Sequence, residues 1–154
     1  DPPGKYCWRA EYSGDPQYKP TTHTNATTEC FILRGFANVS TTSQPQGANS
    51  VHVGTTARDV ATVSAAGGLP APTGQVRFRL CGPTASPTAC TSGGVLVGGL
   101  KTLSGGSATS DPYTANTGVN QWFCWRAEYL GDTNYRPTSH SNSTSECFQV
   151  WELF

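Results

Sequence analysis

The chain has 154 residues, a net charge of zero and only 13% charged residues. That length suits about one domain, and the lack of a basic patch argues against nucleic acid and anionic membrane surfaces as partners. No apolar run approaches the ~20 residues of a membrane-spanning helix. No secretory signal opens the chain, and the absence of Met reads as a mature product or a window from something longer.

Helical periodicity is absent. Short alternating runs separated by Gly, Pro, Asn and Asp predict an all-β chain. The first element is a hairpin opening on "CWRAEYSGD" at Cys7, and "CWRAEYLGD" returns at Cys124. Laid over each other without a gap, Cys7–Phe31 and Cys124–Phe148 are identical at 17 of 25 positions, a period of 117 residues. Two copies of one unit are therefore expected. Residues 1–34 read as the C-terminal β-hairpin of a preceding or strand-complemented unit, 35–150 as a complete unit, and 151–154 as the start of a linker or next unit.

Within the first hairpin, alternation gives Trp8, Ala10, Tyr12 and Phe31 a core-type face. Arg9 and Glu11, like Arg126 and Glu128 in the second copy, are expected to form exposed ion pairs of ~0–1 kcal/mol. Asp15 and Asp132 follow Gly in turns. One Asp per repeat is too few for a calcium site, which needs six to eight oxygen ligands. His23 and His140 lie beside Ser or Thr but have no nucleophile elbow or oriented carboxylate, so they read as solvated loop or strand-edge residues.

In the complete unit, strands are predicted over approximately 36–44, 50–65, 74–81, 90–98, 99–104, 107–113, 120–130 and 141–150. In "QVRFRLC", Val76, Phe78 and Leu80 point inward, and Arg77, Arg79 and Cys81 point outward. Phe123, Trp125, Ala127 and Tyr129 form the next core face, with Phe148 and Val150 on the last strand. Trp8 and Trp125 are both expected to be buried between sheets. Trp151 has outward parity and is the candidate interface anchor, with Trp122 second. Lys101, the only lysine of the unit, has no obvious strand carboxylate beside it, which argues against an intramolecular Lys–Asn cross-link.

The six cysteines, Cys7, Cys30, Cys81, Cys90, Cys124 and Cys147, lack zinc spacing, and their even count favours disulfides in an oxidising compartment. Six cysteines allow fifteen connectivities. Only Cys7–Cys30, Cys81–Cys90 and Cys124–Cys147 keeps every bridge between neighbouring strands, as surface staples of roughly 3 kcal/mol each. Asn25, Asn38 and Asn142 head Asn-x-Ser/Thr triplets and are candidate glycan acceptors.

The run "YCWRAEYSGDPQY" followed by "TECF" resembles the closing hairpin of bacterial immunoglobulin-like repeat domains. "ARDVATVSAAGG", "PTGQVRFRLCGP" and "SATSDPYTANTGVNQWFCWRAEYLGD" resemble that family further upstream. The likeness implies an immunoglobulin-like, two-sheet Greek-key sandwich recurring in tandem on secreted or surface proteins. Such sandwiches host many unrelated functions. The expectation is a structural module of an extracellular fibre, stalk or surface appendage, joined head-to-tail to its own kind, with covalent glycans as candidate decoration. The competing expectation is an adhesin or carbohydrate-binding module. No catalytic residue, cofactor or metal is expected.

Overall fold

A computed structural model describes residues 1–24, 27–44, 50–141 and 144–152. It is all-β, with no helix among the described residues. The first strands are β1 (Gly4–Cys7), β2 (Arg9–Tyr12), β3 (Thr21–Thr24) and β4 (Cys30–Leu33). Next come β5 (Asn38–Gln44), β6 (Ser50–His52), β7 (Thr56–Ser64), β8 (Gln75–Thr84) and β9 (Val95–Leu96). The remainder are β10 (Lys101–Thr102), β11 (Ser107–Thr109), β12 (Tyr113–Thr114), β13 (Trp122–Tyr129), β14 (Thr138–Ser141) and β15 (Cys147–Trp151).

Two sheets share one core, an arrangement compatible with a β-sandwich. The larger runs β10-β8-β13-β15-β6, with β14 on β13 and β9 on β8. The smaller runs β11-β7-β12, with β5 on β7. Period-2 alternation builds the interface between them. β7 buries Ala57, Ala61 and Val63, β8 buries Val76, Phe78 and Leu80, and β13 buries Phe123, Trp125, Ala127 and Tyr129. Phe148 binds this layer together, stacked on Phe123 at 5.8 Å and tilted against Trp125 at 6.5 Å. Burying each such side chain contributes roughly 1.5–3 kcal/mol.

The predicted strand over 50–65 is in fact two. β6 pairs parallel with β15 in the larger sheet, whereas β7 belongs to the smaller one. The crossing falls at Gly54, whose φ of 87° suits glycine far better than any residue with a Cβ. The predicted strands over 90–98 and 107–113 shrink to the short β9, β11 and β12 because the Gly- and Pro-rich connections around them cannot hold a ladder. The span 141–150 is likewise divided between β14, which ends at Ser141, and β15, which begins at Cys147.

Residues 4–33 form two separate two-stranded ribbons, β1–β4 and β2–β3. Their register repeats that of β13–β15 and β13–β14 residue for residue. Cys7 faces Cys30 as Cys124 faces Cys147, and Ala10 faces His23 as Ala127 faces His140. Burial does not repeat. Trp125 is 1% exposed, as its parity predicts, but Trp8 is 68% exposed because no second layer among the described residues covers the first hairpin.

Candidate functional site

The bare face of the first hairpin carries exposed aromatic residues whose twins are packed in the core. Trp8, Tyr12, Tyr18 and Phe31 are all exposed, and Phe31 contacts only its neighbours Tyr6 at 5.7 Å and Trp8 at 6.5 Å among the ring pairs. Tyr6, Phe31 and Trp8 thus form a connected aromatic group, with Phe31 and Trp8 exposed. The hairpin meets the complete unit at Gly35. The Gly35 N–H donates to Asn134 O at 2.8 Å, and Arg136 N–H donates to Gly35 O at 3.0 Å. A Cβ on Gly35 would lie 2.9 Å from the Pro3 ring and 3.4 Å from the Tyr135 ring, so glycine permits this close approach. Arg136 also sits over the Phe36 ring at 5.5 Å.

Gly35 and Val150 are bridged to the sandwich near opposite ends of β13. Gly35 bridges to Tyr135, beyond the C-terminal end of β13, while Val119 bridges to Val150 ahead of its N-terminal end. Trp151 closes β15, 42% exposed and paired with His52 on β6. Trp122 is half-buried against the cysteines.

The disulfides are Cys7–Cys30, Cys81–Cys90 and Cys124–Cys147. Their surface placement needs correction. Cys90, Cys124 and Cys147 are buried in a small second cluster with Cys81 and Trp122. Cys81 and Cys124 are cross-strand partners, so the two bridges of the complete unit stand side by side on the outer face and shield each other. In the lone hairpin Cys7 stays exposed.

The expected exposed Arg126–Glu128 pair also proves different. Glu128 is buried and faces three guanidinium groups: Arg126, Arg77 Nε at 2.6 Å and Arg79 Nε at 3.3 Å. The arginines on β8 are brought there by register, Arg77 opposite Glu128 and Arg79 opposite Arg126. Burial, together with Arg79 and Arg77, holds the Arg126 guanidinium below its ordinary value. Its twin pair, Arg9 and Glu11, is in contact but exposed.

A pair of acids, Asp59 and Glu146, is also buried. Asp59 takes an inward position on β7 and is fully buried. Neither of its carboxylate oxygens, nor Glu146 Oε2, has a hydrogen-bond partner among the described residues. Burial, then the charge of Glu146, pushes the Asp59 carboxyl up to about 8. The alternation of "TARDVATVS" carries the signal, since Asp59 shares the parity of Ala57, Ala61 and Val63; the rarity of fully buried aspartates is what argues against reading it inward.

The Gly-Asp turns are built alike. Asp132 Oδ1 accepts from Asn134 N–H at 2.7 Å and Tyr135 N–H at 2.8 Å, and Asp15 Oδ1 accepts from Gln17 and Tyr18 N–H at 2.8 Å each. His140 is half-buried, 2.8 Å from Thr41 Oγ1, and His23 is exposed. Lys101 does find a carboxylate, Asp111 Oδ1 at 2.6 Å. Asn38 opens β5 and is exposed, while Asn25 and Asn142 lie outside the described residues. Among the described residues, no three His, Cys, Asp or Glu cluster as metal ligands, and no helix is long and apolar enough to cross a membrane. A cavity of about 410 Å³ opens beside β9, lined chiefly by Leu80, Val95, Leu96, Val97, Tyr113 and Phe123.

The chain matches no family model, no curated protein and no solved structure. Three disulfides, with no membrane-spanning helix among the described residues, are compatible with an extracellular protein.

Proposed function

We propose that the chain is a structural module of an extracellular fibre, stalk or surface appendage, built from immunoglobulin-like Greek-key units joined head-to-tail. The observation that carries this reading is the uncovered aromatic face of a hairpin whose twin is fully packed. Supporting it, the strands divide as β8, β13 and β15 in one sheet and β5, β7 and β11 in the other, like the two sheets of an immunoglobulin sandwich. Bridges near opposite ends of β13 suit linear stacking. Heterologous contacts of this kind propagate into open filaments unless a rotation closes them. Disulfides suit such a module outside the cell. Asn38, on an exposed position, is the described candidate for glycan attachment.

Electron microscopy of the native protein tests this directly. Linear particles with one globular unit per repeat are expected, and monodisperse single units would reject the fibre. The second reading, an adhesin or carbohydrate-binding module, draws on the cavity beside β9. Its lining is mostly aliphatic, with few converging polar groups, whereas ligand sites combine apolar walls with several placed polar atoms. The fibre is therefore preferred, without catalysis, metal or cofactor.

A further inference from the structure

Eight positions differ between Cys7–Phe31 and Cys124–Phe148, and their distribution follows burial. In the complete unit, Trp125, Ala127, Tyr129, Tyr135 and Phe148 are buried in the core. Each has an identical residue 117 positions earlier, namely Trp8, Ala10, Tyr12, Tyr18 and Phe31. Both cysteines recur as well. So do the two buried acids, Glu128 and Glu146, as Glu11 and Glu29. The changed positions with described side chains in the complete unit, such as Leu130, Thr133 and Arg136, are none of them buried. A ribbon meant to stay in water gains nothing from keeping every buried residue while varying only where its twin is not buried.

The strand pattern points the same way. β13 runs unbroken through Trp125 because β8 pairs along its other edge, with Trp125 opposite Leu80 and Arg126 opposite Arg79. In the first hairpin the equivalent strand is interrupted at Trp8, between β1 and β2. What is missing there is an edge like β8 as well as a covering layer like β7.

We infer that the first hairpin is the docking surface for a second copy of the layers formed by residues 35–121, carried in the same polypeptide and joined ahead of Lys5 as 35–121 is joined ahead of Trp122. This rests on the head-to-tail reading above and specifies its partner. The docked layers set an Arg77-type and an Arg79-type guanidinium on Glu11, an Asp59-type carboxyl near Glu29, and an aliphatic and aromatic surface over Trp8. The charge complementarity matters, because a merely greasy partner would bury Glu11 with Arg9 as its one cation, where Glu128 has three. A separate chain is the poorer donor. Its own 35–121 layers already hold its own 122–151 strands, and exchanging one hairpin for a near-identical one buries no additional surface.

The test is a chain in which residues 35–121 are followed directly by residues 5–154, compared with the 154-residue chain. Amide exchange over 8–12 is expected to slow at least ~100-fold, toward that of 125–129, as a flexible element becomes part of a cooperative unit. Trp8 should lose its accessibility to solvent-borne modifying reagents. Arg77→Ala with Arg79→Ala in the added copy alone should return exchange over 8–12 toward its original rate while 125–129 stays protected. Unchanged exchange over 8–12 in the extended chain overturns the inference, and so does proteolytic loss of the added copy, since the same sequence folds against 122–151. Protection that appears in the 154-residue chain only as its concentration and mass rise assigns the cover to another molecule and overturns the same-chain source. Native particles seen as single units would reject the fibre while leaving the exchange result standing, so the two failures are distinguishable.

Discussion

Residues 7–31 and 124–148 carry nearly one sequence in two environments. Register, disulfide and turn are the same in both, because each depends on contacts within about twenty-five residues. Burial, strand continuity and charge pairing are not the same. Tyr135 is fully buried and its Tyr135 hydroxyl donates to Pro70 O at 2.5 Å, whereas its twin Tyr18 is 67% exposed. Glu128 holds three arginines and Glu11 one. A local sequence therefore specifies the hairpin's geometry, and the layers packed on it supply nearly all of its tertiary energy.

Mutation of the paired tryptophans should give the largest effect. Trp125→Ala removes a core aromatic and is expected to cost about 3–5 kcal/mol in chemical denaturation. Trp8→Ala in the same 154-residue chain should cost less than about 0.5 kcal/mol, as for an exposed position. Equal losses would mean that the hairpin face is already covered in solution.

The buried acid pair sharpens the contrast through pH. Asp59 holds its proton to about 8 in the folded protein, while an unfolded aspartate releases it near ~4. Its contribution is thus fully present below the unfolded value and is lost as pH rises toward about 8. Asp59→Asn should remove that slope, leaving the variant more stable than the parent at pH 8, by at most about 5 kcal/mol, and close to it at pH 4. A parent whose stability is flat over this window would place the Asp59 carboxyl in contact with solvent or a compensating donor.

Glu128→Gln is expected to cost about 2 kcal/mol, because it leaves three guanidinium groups crowded around a neutral amide. Glu11→Gln should stay within about 0.5 kcal/mol, since its ion pair is exposed and screened. High salt should narrow the difference between the two variants only slightly, as the Glu128 cluster is mostly shielded from ions.

Much of this was legible in the sequence. Alternation alone assigns Val76, Phe78, Leu80 and Phe123 to the core, and all four are buried. The repeat at 7–31 and 124–148 already marks the hairpin in the sequence. What escapes is whatever depends on register between distant strands. That Glu128 would meet Arg77 and Arg79, or that Cys81 would lie beside Cys124, follows only from how β8 pairs with β13. The break of 50–65 at Gly54 is equally non-local, since short alternating runs carry no information on which sheet they join, whereas the inward place of Asp59 is written in its parity with Ala57, Ala61 and Val63.

The smallest expected effect concerns the turns. Asp132 accepts from Asn134 and Tyr135 as Asp15 does from Gln17 and Tyr18, but its second oxygen also takes Thr73 N–H at 2.7 Å and Thr73 Oγ1 at 2.9 Å. Burial raises the Asp132 carboxyl, yet the Thr73, Asn134 and Tyr135 donors outweigh it and hold it below the usual carboxylate range. Asp15 is held low by the Tyr12 hydroxyl and by the Gln17 and Tyr18 amides, all within its own turn. A lowered folded value gives stability that is present above the unfolded carboxylate value and is lost as pH falls through the folded one. Asp132→Ala should therefore cost about 1 kcal/mol at neutral pH, reduced by solvent screening, and the difference from the parent should close under strong acid. Asp15→Ala should leave global unfolding unchanged, because its bonds tie no second element to the hairpin. If both variants lose stability alike, Thr73 is not the tie that distinguishes the packed turn from the bare one.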